Sequence, residues 1–476
     1  MYKQKNSYII PLLLLAGLFM IYLLIMKKGM LPALVFAALP AVAFGIIGVL
    51  RQNYIFIAYF ILNYFISGIS RYVSIKTGLI MFALSIGILT VLLIRNVLER
   101  QEWQRCKSFL LIAWGVWFIY CVLELLNPRA ILASWTIAFP IYAFYPIFCI
   151  ITISLLFKKY QNFQWLLIIW AGLTLIAAAK GYWQKNRGFD SAELTWLFSG
   201  GGRTHLINTG IRFFSFFTDA AAFGASMGMS FVVFGISGFY TSKLWVKLLF
   251  WVAAIGAGYG LMISGTRSDL AIPFVGLTVY LILCRNFKST VLTLLFLVGG
   301  VIFLKFTTIG DDNRLIHRMR TVFDTKDASW MVRVNNRQVI DKAMQDKPFG
   351  IGLGLAGRKA ERFRAVDEHD PLTYVATDSW YVMMYIETGI VGLILYLIVL
   401  ISILLKAAYI ASFRILNREL QGQLYAIIAA IAGILVTCYA NEVMSYPNNI
   451  IVYTLMVFLY IAPYYDQELR QNEIKS

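Results

Sequence analysis

Charge is scarce in this sequence. Asp, Glu, Lys and Arg make up 14% of its 476 residues, whereas a soluble globular chain carries about 25%. That shortfall excludes an ordinary soluble domain, whose core could not hide so much apolar surface. Cysteine is scarce too. Cys106, Cys121, Cys149, Cys284 and Cys438 fall in apolar runs or at their cytoplasmic ends, so neither a disulfide framework nor a Cys/His metal pattern is expected. The three histidines, His205, His317 and His369, are too scattered for a metal site and read as surface residues. No metal and no other cofactor is expected. Internal repeats, low-complexity tracts and nucleotide-binding motifs are also missing, which argues against ATP-driven chemistry and nucleic-acid partners. The first apolar run, Tyr8 to Met26, is too long for a cleavable leader and lacks a small-residue cleavage site, so it reads as a membrane helix.

What the sequence has instead is apolar length. Hydrophobic residues make up 60% of it, in runs of about 18–22 residues, enough for a helix to span a bilayer. The expected fold is an all-α polytopic membrane protein with about 14 transmembrane helices. The spans fall roughly at 8–26, 30–50, 53–70, 76–95, 108–126, 140–157, 163–180, 219–239, 246–264, 269–284, 289–307, 379–405, 422–440 and 449–465.

Basic residues in short connections set the orientation. Arg95, Arg100, Arg105, Lys107, Lys158, Lys159, Lys243, Lys247, Arg285, Lys288, Lys406, Arg414 and Arg418 share one side if both termini are cytoplasmic. Lys27, Lys28, Arg71 and Lys76 then fall on the other side, against the rule. The same topology puts two long polar segments outside, about 181–218 and 308–377, and a short one at Asn127-Pro128-Arg129. The organisation is thus 1–307 (spans one to eleven), a large, partly helical outer loop at 308–377, and 378–476 (spans twelve to fourteen).

The formal net charge is +18. About 18 of the 42 Lys and Arg residues lie at the cytoplasmic side, leaving about 24 outside or at the outer ends of helices. This excess has two readings. It is solvated loop charge, or it serves an anionic ligand, for which the arginine fork suits phosphate oxygens.

Four outer segments stand out. Arg212-Phe-Phe-Ser-Phe-Phe-Thr-Asp219 brackets an aromatic run with opposite charges at the entry to a span. It fits an interfacial aromatic belt with a snorkelling arginine, or a site. Ser264-Gly-Thr266-Arg267-Ser-Asp269 joins two spans so tightly that Arg267 sits at the membrane surface. A charge there is paired in the turn or functional. In the large loop, 313–323 reads as a short interfacial helix with a basic face. A second helix begins after Asp327 or Ser329 and carries Arg333 and Arg337 one turn apart, with Arg337 able to pair with Asp341. Both arginines also fit solvated charges. Pro348-Phe-Gly-Ile-Gly-Leu-Gly354 follows, a run suited to close backbone approach. The fourth segment opens the twelfth span: Asp378 at the helix start or as its cap, Glu387 about 13 Å deeper, then Gly389 and Gly392.

In this order, Arg212, Thr266-Arg267-Ser268, the Pro348–Gly354 run, and Asp378-Ser379 with Glu387-x-Gly389-x-x-Gly392 resemble the motifs of the O-antigen ligase/polymerase superfamily. The resemblance covers about residues 110–405. It implies a membrane glycosyltransferase of the bacterial inner membrane, with its active site facing the periplasm. Its donor, and in a polymerase its acceptor too, is an oligosaccharide on a polyprenyl diphosphate; membrane lipid and a chain-length regulator are further partners to test. Arg212 and Arg267 would stabilise the departing diphosphate, and Asp378 would orient or deprotonate the acceptor hydroxyl. Arg333, Arg337, Arg203, Asp219, Thr266, Glu387 and Trp380 are the substrate-binding candidates. Trp183, Trp196, Trp330 and Trp380 could stack on sugars or simply anchor at the interface. Ligases of the family carry His where this sequence has Asp378, which tilts the expectation towards an inverting polymerase. A ligase acting on lipid A-core is the alternative, and a lipid-linked glycan flippase the second.

Overall fold

The computed structural model describes residues 52–475, apart from 74–75, 99, 208–209, 285–286, 310–316, 318, 321–327, 365–366 and 368. The expected spans 8–26 and 30–50, and most of the basic helix expected at 313–323, lie outside the described residues. The remaining chain is mostly helical, apart from loops and one antiparallel pairing of Leu206–Ile207 with Gly210–Ile211. In order, the longer helices are α1 Gln52–Tyr72, α2 Thr77–Leu98, α3 Phe109–Leu123, α4 Leu132–Leu156, α5 Tyr160–Arg187, α6 Ala220–Tyr240, α7 Leu244–Ile263, α8 Ala271–Leu283, α9 Phe287–Phe306, α10 Ala328–Met344, α11 Trp380–Phe413, α12 Arg418–Thr437 and α13 Asn448–Lys475.

Among the described residues, nine helices are long and apolar enough to cross a membrane: α1 to α7, α11 and α12. Three more lie where spans were expected. α8 has 13 residues, the apolar stretch of α9 is Thr290–Phe303, and α13 runs on into a polar tail. The start of α4 differs from the sequence expectation, which placed it at 140. Proline favours a helix's first turn, but here Pro140 lies inside. The helix continues past it through a π-helical turn over Pro140–Phe144, where the Tyr145 N–H donates to the Pro140 carbonyl.

The centre of the bundle is α6 packed against α7, α8 and α12. Without a hydrophobic drive between helices in lipid, close packing needs small residues at the contact. A Cβ at Gly276 of α8 would stand 2.9 Å from the Ala429 carbonyl oxygen of α12, and one at Gly433 would stand 2.5 Å from the Ile272 carbonyl oxygen of α8.

The connections 124–131, 188–219, 264–270, 345–379 and 438–447 meet at one end of the bundle, called here the loop end. Asn127 donates to the Phe349 carbonyl (3.2 Å). Arg212 reaches Thr266, and Thr377 hydrogen-bonds Glu442.

The glycine run is built into α11. That helix breaks at Gly389, whose φ of 68° and ψ of −175° lie in a region open essentially to glycine alone. The break frees backbone groups, and the 348–352 segment takes them up. Ile351 donates to Ile386 (3.0 Å), Gly352 donates to Glu387 (3.0 Å), and Val391 donates back to Pro348 (3.2 Å). The Tyr120 hydroxyl covers the Thr388 carbonyl (2.8 Å). Close approach is therefore why glycines stand here, as the sequence reading expected: a Cβ on Gly350 would meet the Glu387 carbonyl oxygen at 2.4 Å.

Candidate functional site

A hollow of about 920 Å³ opens at the loop end. Six stretches far apart in sequence line it, among them the start of α4 (134–142), the 354–363 segment and the 441–445 connection. The 204–221 segment supplies Arg212 and Asp219, α10 supplies Arg333, and the 376–387 stretch supplies Asp378 and Glu387. Arg362 and Glu442 complete its charged lining.

Arg212 is fixed by two hydrogen bonds, to the Thr204 carbonyl (3.0 Å) and the Thr266 hydroxyl (2.6 Å). Burial pulls its pKa down, Asp269 and Asp219 push it back up, and Arg333 and Arg267 add to the fall. Guanidinium groups stay charged in proteins, so Arg333 and Arg267 each repel Arg212. An anion bound among them would relieve that repulsion. Arg267 itself is half-buried in the turn Arg267–Leu270, next to Thr266, and is not among the residues lining the hollow. Asp269 is fully buried, and burial holds its carboxyl well above the usual carboxylate range despite Arg212. Asn441 ties this turn to the 438–447 connection, donating to Ser268 Oγ (2.5 Å) and Asp269 Oδ1 (3.3 Å).

The aromatic run after Arg212 is not an interfacial belt. Phe213, Phe214 and Phe217 are buried, and Phe214 stacks on Phe189 at 5.3 Å. Arg71 holds the run in place, donating to the carbonyls of Ser215 (3.3 Å), Phe217 and Thr218 (3.0 Å). Its guanidinium also lies over Phe214 (4.3 Å) and Trp196 (4.6 Å). The sequence reading counted Arg71 only as an exception to the charge rule. That exception was the available signal, since a cation on the wrong side of a span needs a reason.

Asp378 is not the cap of α11. Ser379 takes that role, its side chain accepting from Val382 N–H (3.3 Å). Asp378 is thereby released, exposed, into the hollow. Its φ of 45° is uncommon for a residue with a side chain, and such strain gathers at functional sites. Glu387 is buried, as expected of a carboxylate at that depth. It faces the hollow and accepts from Ala356 N–H (3.3 Å).

Other expectations are redistributed. Asp219 caps α6, accepting from Ala222 N–H (2.8 Å), while lining the hollow. Arg337 partners Tyr439 rather than Asp341. It donates to the Tyr439 hydroxyl and carbonyl and lies 3.9 Å over the ring, because α10 packs that face on the 438–447 connection. Arg203 is exposed on the turn Gly202–His205. Trp380 lines the hollow, but its ring is buried edge-on to Tyr142 and donates to Tyr396 (3.2 Å). Trp183 is exposed, Trp196 is taken by Arg71, and the Trp330 side chain lies outside the described residues.

His205 is a correction. Expected at the surface, it is 2% exposed and lines the hollow. Its Nε2 accepts from Ala220 N–H (3.0 Å), and its Nδ1 lies 2.8 Å from the Gly201 carbonyl. One ring nitrogen must accept, so the ring is neutral. The reason is local: the start of α6 offers an N–H with no helical partner, and His205 supplies the acceptor. Burial lowers its pKa, with Arg212 and Arg71 adding to the fall. The neutral ring therefore contributes stability that is present above the ordinary imidazole pKa of about 6.5. That contribution is lost as pH falls towards the lowered value. Melting midpoints of purified protein between pH 8 and 5 should drop on the acid side, and His205→Gln should remove that part of the slope.

Among the described residues, no group of three or more His, Cys, Asp or Glu side chains could hold a metal ion.

A bundle of apolar helices with a hollow at one end, lined by Arg212, Arg333 and Arg362 from three different segments and by the Asp378 carboxylate, has the architecture of an integral membrane protein. Residues 248–397 match the family model Wzy_C, described as O-antigen ligase, and this match supports the O-antigen ligase/polymerase superfamily. The matched stretch includes Arg267, α10, the glycine run, Asp378 and Gly389; Arg212 lies before it. No curated protein matches the chain.

Proposed function

We propose that this chain is a polysaccharide polymerase. It joins oligosaccharide units carried on polyprenyl diphosphate, at the periplasmic face of a bacterial inner membrane. The observation that carries this reading is the single hollow shared by Arg212, Arg333 and Asp378.

The chemistry follows from those groups. A hydroxyl of the acceptor unit attacks the anomeric carbon of the donor glycan. The bond from that carbon to the diphosphate oxygen breaks, and the electron pair leaves with the diphosphate. The hydroxyl proton passes to the Asp378 carboxylate, an ordinary general base. Attack opposite the leaving group inverts the anomeric centre. Negative charge grows on the departing oxygen, so fixed guanidinium groups bind the transition state more strongly than the ground state. Arg212 and Arg333 take this role, with Arg267 adding positive potential from behind. The lipid diphosphate already stores the driving force, so no nucleotide is consumed.

A ligase reading is favoured by the description of the matching family. The presence of Asp378 where ligases resemble one another in carrying His weighs against it. A flippase would place charges along the mid-membrane parts of both halves, whereas the lining charges here gather at the loop end.

Purified protein given a purified lipid-linked repeat unit should yield a ladder of lipid-linked oligomers. Asp378→Asn should lower the rate by about 10²–10⁴, the usual range for a lost general base. One glycan moved once to a different acceptor would favour the ligase. Movement across a vesicle bilayer without new glycosidic bonds would overturn the glycosyltransferase reading.

A further inference from the structure

A second cavity lies behind the glycine run. It has a volume of about 830 Å³ and is lined by residues of α10, the 129–131 turn and the 351–371 segment. The run separates it from the hollow. Ile351 and Leu355 face the second cavity, while Gly354, Ala356 and Gly357 face the hollow. The same division holds at the start of α4, where Ile131 lines the cavity and Ser134 the hollow. The partition is pinned by Ser134 Oγ, which donates to the Leu353 carbonyl (2.9 Å), and by Asn127, which donates to Phe349 and Gly350 (3.2 and 3.3 Å).

The chemistry of this cavity is distinct. Its floor is apolar, with Ile351, Leu355 and Pro371, and its rim carries Arg129, Lys342, Lys347 and Arg364 against the single carboxylate of Asp370. Two of those cations are committed. Arg364 stands 3.7 Å from Asp370 and donates to the Leu372 carbonyl. Lys347 pairs with Asp346 at 2.6 Å and donates to the Ala343 carbonyl. Arg129 and Lys342 are exposed and have no side-chain hydrogen bond or ion pair among the described residues. Arg129 also acts on the nearby Asp346 carboxylate, which Lys347 already pairs with. A concave site with an apolar floor and more cations than carboxylates along its lining suits a ligand that is itself ring-faced and acidic. A sugar ring presents C–H faces to the floor, and a carboxylate on it meets the rim.

We propose that this cavity is a binding site for an acidic saccharide, holding a negatively charged part of the glycan on the far side of the wall from the reacting bond. The choice of a saccharide rests on the glycan-joining reading. Arg129 and Lys342 are its anion-binding groups, and neither touches the hollow.

The test uses the full chain in detergent and titrates a uronic acid tetramer, tetragalacturonate, at low salt, where exposed charges act most strongly. Wild type should bind it, and neutral maltotetraose should not compete. The double variant Arg129→Gln/Lys342→Gln should bind about tenfold more weakly or worse, the scale of two exposed charge contacts. Arg212→Ala should bind it as wild type does. Equal affinity in wild type and the double variant would overturn the proposal. So would equal competition by inorganic phosphate or by phosphatidylglycerol vesicles, which would mean a general anion or lipid-headgroup surface. Because binding is read without turnover, its failure is distinguishable from absence of the oligomer ladder, which tests glycan joining alone.

Discussion

Gly389→Ala is expected to destabilise the protein by about 4 kcal/mol or more and to cost it the folded loop end. The backbone at Gly389, φ 68° and ψ −175°, is essentially closed to alanine, and forcing it costs about 1–3 kcal/mol. The new Cβ would also stand 2.0 Å from the Pro348 carbonyl oxygen, so the 348–352 segment must withdraw. Withdrawal breaks the bonds from Ile351 to Ile386, Gly352 to Glu387 and Val391 to Pro348, each worth about 1 kcal/mol net, and more if its partner stays buried. The total is a large share of the roughly 5–15 kcal/mol that holds a domain together. Gly115→Ala in α3 is the control. A Cβ there meets nothing within 4 Å, and alanine favours a helix over glycine by about 1 kcal/mol. Thermal unfolding in detergent should show a lowered or missing transition for Gly389→Ala and an unchanged or slightly raised one for Gly115→Ala.

Arg212→Ala is expected to lower the rate of glycosidic bond formation by about 10²–10³, the usual loss when one fixed donor to a developing oxyanion is removed. The side chain is held by Thr204 and Thr266, so in the proposed mechanism it would meet the leaving diphosphate without reorganising. Arg212→Lys keeps the charge but not the planar fork that reaches two acceptors at once, and it should recover only part of the rate. Folding should survive either change, because Arg71 holds the adjoining aromatic run independently. Initial rates on a purified lipid-linked repeat, with melting midpoints measured alongside, separate the loss of chemistry from the loss of fold.

Much of this architecture was legible because membrane helices announce themselves by length and apolarity, and because charges at their ends are costly enough to need a purpose. Arg212 and Asp219 stand out as opposite charges at a span entry, Glu387 as a carboxylate at depth and Asp378 through the motif resemblance, and these four line one hollow. Arg267, picked out by the cost of a charge at the membrane surface, does not. What could not be read depended on which of two neighbours wins a local role. Asp378 and Ser379 are both good helix caps, and only the folded backbone gives the cap to serine and frees the aspartate. Arg337 had an acid one turn away, yet a ring and a carbonyl from a connection about a hundred residues distant hold it instead. His205 looks like a surface residue in sequence because the N–H it satisfies belongs to a helix beginning fifteen residues later. Pro140 marks a helix start by local preference, and a π turn overrides it. Arg362 and Glu442, which complete the lining, carry no pattern of their own.

The central claim is that one hollow contains both the group that takes the acceptor's proton and the group that receives the leaving diphosphate. A double-mutant cycle on the initial rate of polymer formation tests it most directly, comparing wild type, Arg212→Ala, Asp378→Ala and the double variant. Groups acting on one transition state are strongly non-additive. Each single variant should therefore lose at least about 10², and the double variant little more than the worse single one. A double variant as slow as the product of the two single losses, or either single variant polymerising at the wild-type rate, would contradict the account.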